Sequence, residues 1–346
     1  MIENEKNGNN KKGKFSYSKL NQYENCPYAY NLKYNEGHFY NVPSLAASFG
    51  TLVHKIEENI SHLIMNGRPV NYEMLRKDFW NMNVPKRNKY DRDGDIFGAN
   101  ILKQRFPRDW YEFSKKTEKN FDIKADEYAA TGILRQEAYL NEHPDLEIVG
   151  VEIGFEIEYH GYVFHGFIDR LLRHRGTNHF ELMDLKTKEV PYSKTDIASP
   201  LQHFVYYLAL KDKYGDDIIV DHFYDLPIAN VLQPCMTKGG YARCEKKLDK
   251  LLEGIEAGDY HPSPSPLCAW CPFSPTSENQ PEDAKLGHYC PYFSLWQSDN
   301  KTFEVNFEWQ GPEKHEEIMR KYHEKVLLEE GESKKRIDIS NFDFDF

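Results

Sequence analysis

Residues 146–188 read LEIVGVEIGFEIEYHGYVFHGFIDRLLRHRGTNHFELMDLKTK. Apolar and polar residues alternate through much of this stretch, and such alternation is typical of strands with one buried face. Two interruptions, His160–Gly161 and Arg175–Gly176, carry residues that tight turns favour. We therefore predict a run of strands joined by tight turns, which cover residues 147–159, 162–173 and 179–186.

Helical patterns flank these strands on both sides. Apolar residues recur there at helical spacing, and Gly67 is placed to end one of the helices. Helices are predicted over residues 15–34, 50–67, 199–215 and 244–258, with mainly helical structure over 71–140 and a further strand over 218–228. This order of helices, sheet, helix and strand predicts an α/β fold with a helical insertion and a C-terminal cysteine-bearing flap.

The composition excludes several classes of protein. The chain has 346 residues, with 44 Lys and Arg against 55 Asp and Glu, so its formal net charge is −11. No apolar run approaches the roughly 20 residues of a membrane span, and the polar start is unlike a secretory signal. We therefore expect a cytoplasmic protein without a membrane partner. The acidic balance argues against a uniformly basic nucleic-acid coat, but it is compatible with a nuclease that has a local basic groove.

Three charged residues lie at the ends of two predicted strands. Asp169 follows an apolar strand, and Asp184 and Lys186 end the next one. Residues two apart on a strand point to the same face, and an antiparallel neighbour can bring Asp169 beside that pair. Two carboxylates on one face can hold a hard divalent cation such as Mg²⁺, with a lysine placed to orient water. The alternative interpretation is that these residues are solvated charges at strand ends. Glu181 is not included among the candidate site residues, because it lies three positions before Asp184 and points to the opposite face of the strand.

The order of the motifs resembles the PD-(D/E)XK nuclease superfamily and, within it, the RecB-type branch. GFIDRLLR is similar to the GxxD strand of that branch, ELMDLKTK to its DxKT strand, and LQHFVYYLAL to its Q-x-x-x-Y helix. Upstream, FGTLVHKIEE matches its G-x-x-x-H helix through Gly50 and His54. The resemblance covers about residues 15–293. It implies a restriction-endonuclease-like mixed sheet flanked by helices.

The resemblance also implies roles for individual residues. Metal ligands for Mg²⁺ or Mn²⁺ are implied at His54, Asp169, Asp184 and the carbonyl of Leu185, and catalytic-site roles at Asp169, Asp184, Lys186, Gln202 and Tyr206. Taken alone, His54 would be an ordinary core or surface histidine, and Gln202 and Tyr206 would be routine packing on one helix face. Glu57 and Glu58 follow His54 and are interpreted as a solvated helix face, with support of the site from behind the metal ligands as the alternative.

Four of the six cysteines form a second pattern. They are Cys26, Cys268, Cys271 and Cys290. Thiolates at CxxC spacing can bind one tetrahedral ion or one edge of an iron–sulfur cluster. The arrangement resembles RecB-type nucleases such as AddB, in which one early and three late cysteines hold a [4Fe–4S] cluster, although the gap between the last two cysteines is longer here. A zinc site and structural thiols are the alternatives, and Cys235 and Cys244 are interpreted as ordinary cysteines.

The predicted organisation has four parts. These are a flexible arm (1–14), a nuclease domain (15–293) with a helical insertion (71–140) and an iron–sulfur clasp from Cys26 and residues 268–290, a helical extension (294–330) and an acidic tail (331–346). The tail ends RIDISNFDFDF and resembles the Phe-terminated tips of single-stranded DNA-binding proteins. It is a candidate docking segment for a replication or recombination partner, or a disordered tail without a role.

Together these patterns predict a Mg²⁺- or Mn²⁺-dependent DNA exonuclease. We expect it to act on single-stranded ends in replication, recombination or repair, in a prokaryote or a phage-infected cell. Basic segments at residues 86–92, 171–175 and 211–213 are candidate DNA contacts. The competing interpretations are a catalytically idle iron–sulfur DNA-binding or assembly subunit and a zinc-clasped endonuclease.

Overall fold

The structure is a computed structural model, and it describes residues 13–38, 44–85, 95–114, 117–273, 290–292 and 309–332. Within these residues the α-helices are α1 (Tyr17–Asn25), α2 (Pro27–Tyr34), α3 (Leu45–Met65), α4 (Tyr72–Asn81), α5 (Ala99–Arg105), α6 (Pro107–Tyr111), α7 (Phe121–Ala130), α8 (Arg135–Glu142), α9 (Lys194–Ala198), α10 (Leu201–Tyr214), α11 (Gly240–Glu256) and α12 (Pro312–Glu332). The strands are β1 (Gly13–Phe15), β2 (Asn83–Val84), β3 (Ile96–Phe97), β4 (Leu146–Tyr159), β5 (Tyr162–His174), β6 (His179–Leu185), β7 (Ile219–Leu226) and β8 (Val231–Cys235).

The chain divides into two compact units. The first comprises Met1–Tyr17 and Pro43–Leu248, and the second comprises Ser18–Val42 and Asp249–Phe346. The central sheet belongs to the first unit. In the part of the chain that the structure describes, no helix combines the length and apolar character that crossing a membrane requires.

A mixed six-stranded sheet forms the centre of the first unit. Its strands are ordered β1-β5-β6-β7-β8, and β4 pairs with β5 outside this path. The pairings β4–β5, β5–β6 and β7–β8 are antiparallel, whereas β1–β5 and β6–β7 are parallel. The β4–β5 hairpin turns at His160 and Gly161, whose φ angles of 51° and 82° are the two left-handed conformations that a tight hairpin turn favours.

Helices pack on this sheet and on each other. A buried cluster joins α3 to the helices that follow it, through large side chains such as Phe49, Phe79 and Trp110. A separate cluster joins the sheet to α10 through Ile168 and Tyr206, among other residues. Burial of these apolar surfaces is the main source of stability for the first unit. The two clusters also hold α3 and α10 in place around the ends of β5 and β6.

The second unit has its own small core. Tyr28 and Leu32 of α2 pack with Phe273 and with Met319 of α12. Gly254 allows close packing of α11 in this unit, because a Cβ atom there would lie only 2.4 Å from the Tyr23 hydroxyl. The Tyr23 hydroxyl donates a hydrogen bond to the carbonyl of Asp259.

The sequence pattern located most elements of the sheet. The stretch 15–34 is helical from residue 17, as predicted, but it forms two helices instead of one, because Cys26 adopts an extended conformation (φ −161°, ψ 104°) and caps α2. A residue before proline is disfavoured in the helical region, which accounts for the break before Pro27. Strands β1 and β8 were not predicted, since β1 has three residues and β8 contains Pro234.

Candidate active site

The antiparallel pairing of β5 and β6 brings the two predicted carboxylates together. The ladder ends with the pair Arg170 and Met183, which are the chain neighbours of Asp169 and Asp184. Burial, and then the negative charge of Asp184, raise the pKa of Asp169 to about 7. The Leu185 amide donates a hydrogen bond of 2.7 Å to Asp169 Oδ2, which fixes the carboxylate at the end of the strand.

Asp184 is completely buried, and its negative charge is only partly compensated by neighbouring groups. Its Oδ2 lies 2.6 Å from the Lys186 ammonium, whereas its Oδ1 has no hydrogen-bond partner among the described residues. His203 lies 4.0 Å away and adds no charge, because burial, and then Lys186, lower its pKa to about 3. Burial would lower the pKa of Lys186, but the charges of Asp184 and Asp169 outweigh that effect and raise it, so the lysine is cationic.

Helix α3 supplies the predicted histidine. His54 Nδ1 lies 3.9 Å from Asp169 Oδ1, and the imidazole hydrogen-bonds the Leu185 backbone. Burial, and then the charge of Lys186, lower the pKa of His54, which favours the neutral form that ligates metals. The α3 backbone passes close to the end of β6 at Gly50, where a Cβ atom would lie 3.4 Å from the Thr187 hydroxyl.

Glu152 on β4 completes a cluster that the sequence did not indicate. One ligand atom from each of His54, Glu152 and Asp169 lies within 4.8 Å of the others. Glu152 has a left-handed φ of 48°, just after a register shift between Ile148 and Gly150. Left-handed backbone is uncommon for a residue with a side chain, and such conformations concentrate at functional sites. The bulge therefore accounts for the presence of this carboxylate in the site.

The resulting active-site cluster has an excess of negative charge. It consists of His54, Glu152, Asp169, Asp184 and Lys186. The ligand atoms of His54, Glu152 and Asp169 lie together, and the charges of Asp184 and Lys186 act on Asp169. Three carboxylates therefore share one ammonium group and a neutral imidazole, so two negative charges are uncompensated when all the carboxylates are ionised. Carboxylate oxygens, a neutral imidazole and the Leu185 carbonyl suit a hard divalent cation such as Mg²⁺ or Mn²⁺. The buried Asp184 Oδ1, which has no partner in the described chain, fits this group as well.

Gln202 and Tyr206 lie one turn apart on α10 and interact with each other. The Gln202 amide donates a hydrogen bond of 2.7 Å to the Tyr206 hydroxyl. Tyr206 is buried, and burial, followed by the charges of Asp184 and Asp169, raises its pKa. The phenol is therefore neutral and near enough to both carboxylates to feel their charge. The predicted role of this pair in organising the site stays a prediction.

A second charged cluster lies beside the first and is buried more completely. In this balanced network, Arg170 contacts Asp225 at 2.5 Å and Glu57 at 3.7 Å, and Arg135 contacts Asp225 at 3.1 Å. The Tyr128 hydroxyl donates a hydrogen bond to Glu57. Burial, and then Asp225, raise the pKa of Glu57 to about 7 against the effect of the arginines. The interpretation of Glu57 as part of a solvated helix face is wrong, because the residue is only 5% exposed.

Two other acidic residues near these clusters have local partners. Glu58 pairs with Lys55 and lines the pocket that His54 also lines. Glu181, which was not included among the candidate site residues, accepts a hydrogen bond from the Tyr139 hydroxyl. Neither belongs to the active-site cluster.

In the second unit, the four predicted cysteine ligands line one pocket of about 230 Å³. All six cysteines of the chain are thiols rather than disulfides. The pKa of Cys290 is raised by burial and then by the neighbouring thiols of Cys271, Cys26 and Cys268, in that order. Cys26 and Cys268 are therefore close in space despite their separation in sequence. The four-thiol donor set fits a thiolate-bound metal group.

The predicted nucleic-acid contacts are only partly described. Residues 86–92 and the acidic tail from 333 lie outside the described residues, and so does most of the stretch between Cys271 and Cys290. Within 171–175, Arg173 and Arg175 both pair with Glu147. Lys211 pairs with Asp216. Local acids thus compensate these three basic residues.

Comparisons with known proteins agree with this architecture. The profile of the PD-(D/E)XK nuclease superfamily matches residues 14–276. The predicted restriction-endonuclease-like mixed sheet flanked by helices is confirmed. No curated protein matches the chain. The crystal structure of a "Putative exonuclease" from Eubacterium rectale is similar over 74% of this chain and 86% of its own, with 13% identity and a TM-score of 0.38.

Proposed function

Because this chain belongs to the PD-(D/E)XK nuclease superfamily, we propose that it is a metal-dependent DNA exonuclease of the RecB-type branch that degrades single-stranded ends. The main support is the buried Asp184, whose charge acts on Asp169 and whose Oδ1 has no partner in the described chain. Lys186 contacts only the other oxygen, Oδ2, and a buried polar atom without a partner is costly unless it ligates a metal. The replication, recombination or repair setting belongs to the same proposal.

Each residue of the cluster has a role in phosphodiester hydrolysis. His54, Asp169, Asp184 and the Leu185 carbonyl would hold Mg²⁺ or Mn²⁺, with Glu152 on the same side of the site as His54 and Asp169. When bound, the cation would polarise the phosphodiester and activate water. Lys186, held as a cation by Asp184, stabilises negative charge that develops on the phosphate and orients the attacking water.

The cysteine pocket supports a structural [4Fe–4S] cluster. Cys26, Cys268, Cys271 and Cys290 would hold it as thiolates, and the positive charge of the irons would favour the deprotonation of Cys290 that burial, and then the neighbouring cysteines, oppose by raising its pKa. Bound in this way, it would join α2 to the segments on either side of the CxxC motif within the second unit. Zinc in the same pocket is the alternative.

The nuclease proposal is tested with the purified protein on three DNA substrates. We expect Mg²⁺ or Mn²⁺ to support degradation of linear single strands, and EDTA to stop it. Circular single strands should survive, and blunt duplexes should be degraded more slowly. Degradation of the circles would indicate an endonuclease. Binding of DNA without cleavage in either cation would support the catalytically idle subunit instead.

The cluster proposal needs a separate measurement, which is anaerobic purification followed by absorption spectroscopy and metal analysis. We expect a broad absorption band in the visible range and about four irons per chain. The variant Cys290→Ser should lose the band, whereas Cys235→Ser should keep it, because Cys235 lies outside the pocket. Zinc in place of iron would refute the cluster and leave the nuclease proposal intact.

A further inference from the structure

A tyrosine near the active-site cluster has no role in the chemistry proposed so far. Tyr192 lies in the loop that leads from Lys186, at the end of β6, to α9. Burial raises the pKa of Tyr192, and the charges that act on it most are those of Lys186 and then Asp184. The phenol is therefore protonated, and it lies near enough to the lysine and the carboxylate to feel both charges.

The sheet places Tyr192 beside the cluster through a row of three side chains. Asp184 on β6 pairs with Tyr224 on β7, and Tyr224 pairs in turn with Gln233 on β8. Paired residues of neighbouring strands present their side chains on the same face, so these three form a row across the sheet. The Tyr192 ring stacks on Tyr224, with ring centroids 4.2 Å apart and 29° between the planes. Tyr192 thus lies on the face of the sheet that carries Asp184.

The backbone and the ring of Tyr192 are both held in place. The Gln233 side chain accepts a hydrogen bond of 2.8 Å from the Tyr192 amide and donates one of 2.9 Å to its carbonyl. The Lys188 ammonium lies 3.6 Å from the centroid of the Tyr192 ring, which is a cation–π distance. Within the described residues, no group hydrogen-bonds the Tyr192 hydroxyl. The contacts therefore fix the phenol without using its hydroxyl.

Three other tyrosines near buried charges use their hydroxyls within the fold. Tyr128 donates to Glu57, Tyr139 donates to Glu181, and Tyr206 accepts from Gln202. Replacing any of these tyrosines by phenylalanine would remove a hydrogen bond of the folded chain. At Tyr192 the same replacement keeps the stack on Tyr224 and both backbone hydrogen bonds. This tyrosine therefore allows a substrate contact to be tested apart from the stability of the fold.

We propose that the Tyr192 hydroxyl donates a hydrogen bond to a non-bridging oxygen of the phosphate bound at the active-site cluster. This proposal rests on the proposed nuclease function and adds a substrate-binding residue to the site. The carboxylates would hold the cation, while Lys186, whose side chain is 30% exposed, and Tyr192 provide hydrogen-bond donors for the phosphate. A neutral phenol adds a directed donor without adding a positive charge.

The test compares cleavage of linear single strands in Mg²⁺ by the wild type and by Tyr192→Phe. The value of kcat/KM should fall about 10- to 100-fold, which is the range for a lost hydrogen bond to a charged group. The Mg²⁺ concentration required for half-maximal activity should stay unchanged, because the phenol does not ligate the cation. An unchanged kcat/KM would show that Tyr192 only anchors the loop, and a higher Mg²⁺ requirement would show that it acts through the metal site. Either result would overturn the proposal.

Tyr214→Phe is the matched control. Tyr214 on α10 also packs its ring against an aromatic side chain, Phe180, and also has an ammonium over the ring, that of Lys213. Phe180 lies near the start of β6, whereas Asp184 lies near its end. Cleavage by Tyr214→Phe should equal that of the wild type. Thermal unfolding of both variants checks that the fold is kept.

Sulfur substitution in the substrate locates the contact. Two strands are used, each with sulfur in place of one of the two non-bridging oxygens at the linkage that is cut first. Sulfur is a weak hydrogen-bond acceptor, so Tyr192→Phe should cause no further loss on one of these strands and its full loss on the other. Full losses on both strands would place the hydroxyl away from the phosphate oxygens and refute the contact.

Binding of a fluorescent oligothymidylate in Mg²⁺ separates this proposal from the nuclease function. A wild type that binds the strand and leaves it intact would refute the nuclease. Tyr192→Phe should then still bind about 10-fold more weakly, with an unchanged salt dependence because no charge is removed. Equal binding by the two proteins, or no binding by the wild type, would in that case overturn the contact. A wild type that cleaves, with an unchanged kcat/KM for Tyr192→Phe, would refute the contact and keep the nuclease.

Discussion

The active-site cluster and the balanced network share the same two elements but use charge in opposite ways. His54 and Glu57 lie one turn apart on α3, and Asp169 and Arg170 are adjacent on β5. In the network, two arginines face two carboxylates, and each carboxylate contacts a guanidinium. In the active-site cluster, three carboxylates share one ammonium. The network therefore compensates its own charges, whereas the active-site cluster has an excess of negative charge that the proposed divalent cation would compensate.

Asp184→Asn tests the cluster and should have the largest effect. Because Asp184 is proposed to hold the cation, removing its charge is expected to reduce cleavage of linear single strands by about 1,000-fold or more. The midpoint of thermal unfolding should stay unchanged or rise, because the native carboxylate is buried with one oxygen unpaired in the described chain.

Asp216→Asn is the matched control for this prediction. It removes the same charge from a side chain that is 87% exposed and pairs with Lys211. Both activity and stability should be retained. Equal losses of activity in the two variants would indicate that net charge, rather than the Asp184 ligand, limits the reaction.

Arg170→Met tests the balanced network and should affect stability most. The substitution keeps much of the side-chain volume but leaves Glu57 and Asp225 without their shared guanidinium. Breaking a buried ion pair on one side costs about 3–5 kcal/mol of unfolding free energy. Urea denaturation would measure this loss.

The control for the network is Arg320→Met on α12. Arg320 pairs with Glu324, and both side chains are more than half exposed. Such surface pairs contribute about 0–1 kcal/mol. If Arg170→Met also lost only about 0–1 kcal/mol of unfolding free energy, the buried ion pairs of the network would not stabilise the fold in the way that their contacts indicate.

The sequence was informative about the cluster and uninformative about the network for a physical reason. Strand alternation and the two-residue repeat place Asp169, Asp184 and Lys186 on one face, and these are local properties of the chain. No role was predicted for Arg170, because its partner, Asp225, is 55 residues away. A contact over that distance follows from the parallel pairing of β6 and β7, which no local pattern encodes.

Glu152 was missed for a different reason. The sequence VEIGFEI reads as regular alternation, and nothing in it marks the residue that takes φ of 48°. The register shift between Ile148 and Gly150 is a small departure from the ladder that repositions this side chain. A glycine within a strand pattern was the only available signal, since such glycines often mark bulges.

Glu152→Gln should have an intermediate effect on cleavage. Loss of this charge is expected to reduce the rate by about 10- to 100-fold and to raise the Mg²⁺ concentration required for half-maximal activity. Glu156→Gln, four residues along β4 and paired with Lys14 at the surface, should leave both quantities unchanged. A lower rate with an unchanged Mg²⁺ requirement would place Glu152 outside the metal site.

Tyr206→Phe should have the smallest effect, because it removes only the hydroxyl that accepts the hydrogen bond from Gln202. A net contribution of about 0.5–1.5 kcal/mol for such a bond predicts a rate lowered less than about tenfold. Tyr139→Phe is the control, since its hydroxyl bonds Glu181 away from the cluster, and its rate should not change. A loss near that of Asp184→Asn would mean that the Tyr206 hydroxyl contacts the reacting phosphate directly. Gln202 and Tyr206 would then take part in the reaction itself, rather than only support the carboxylates.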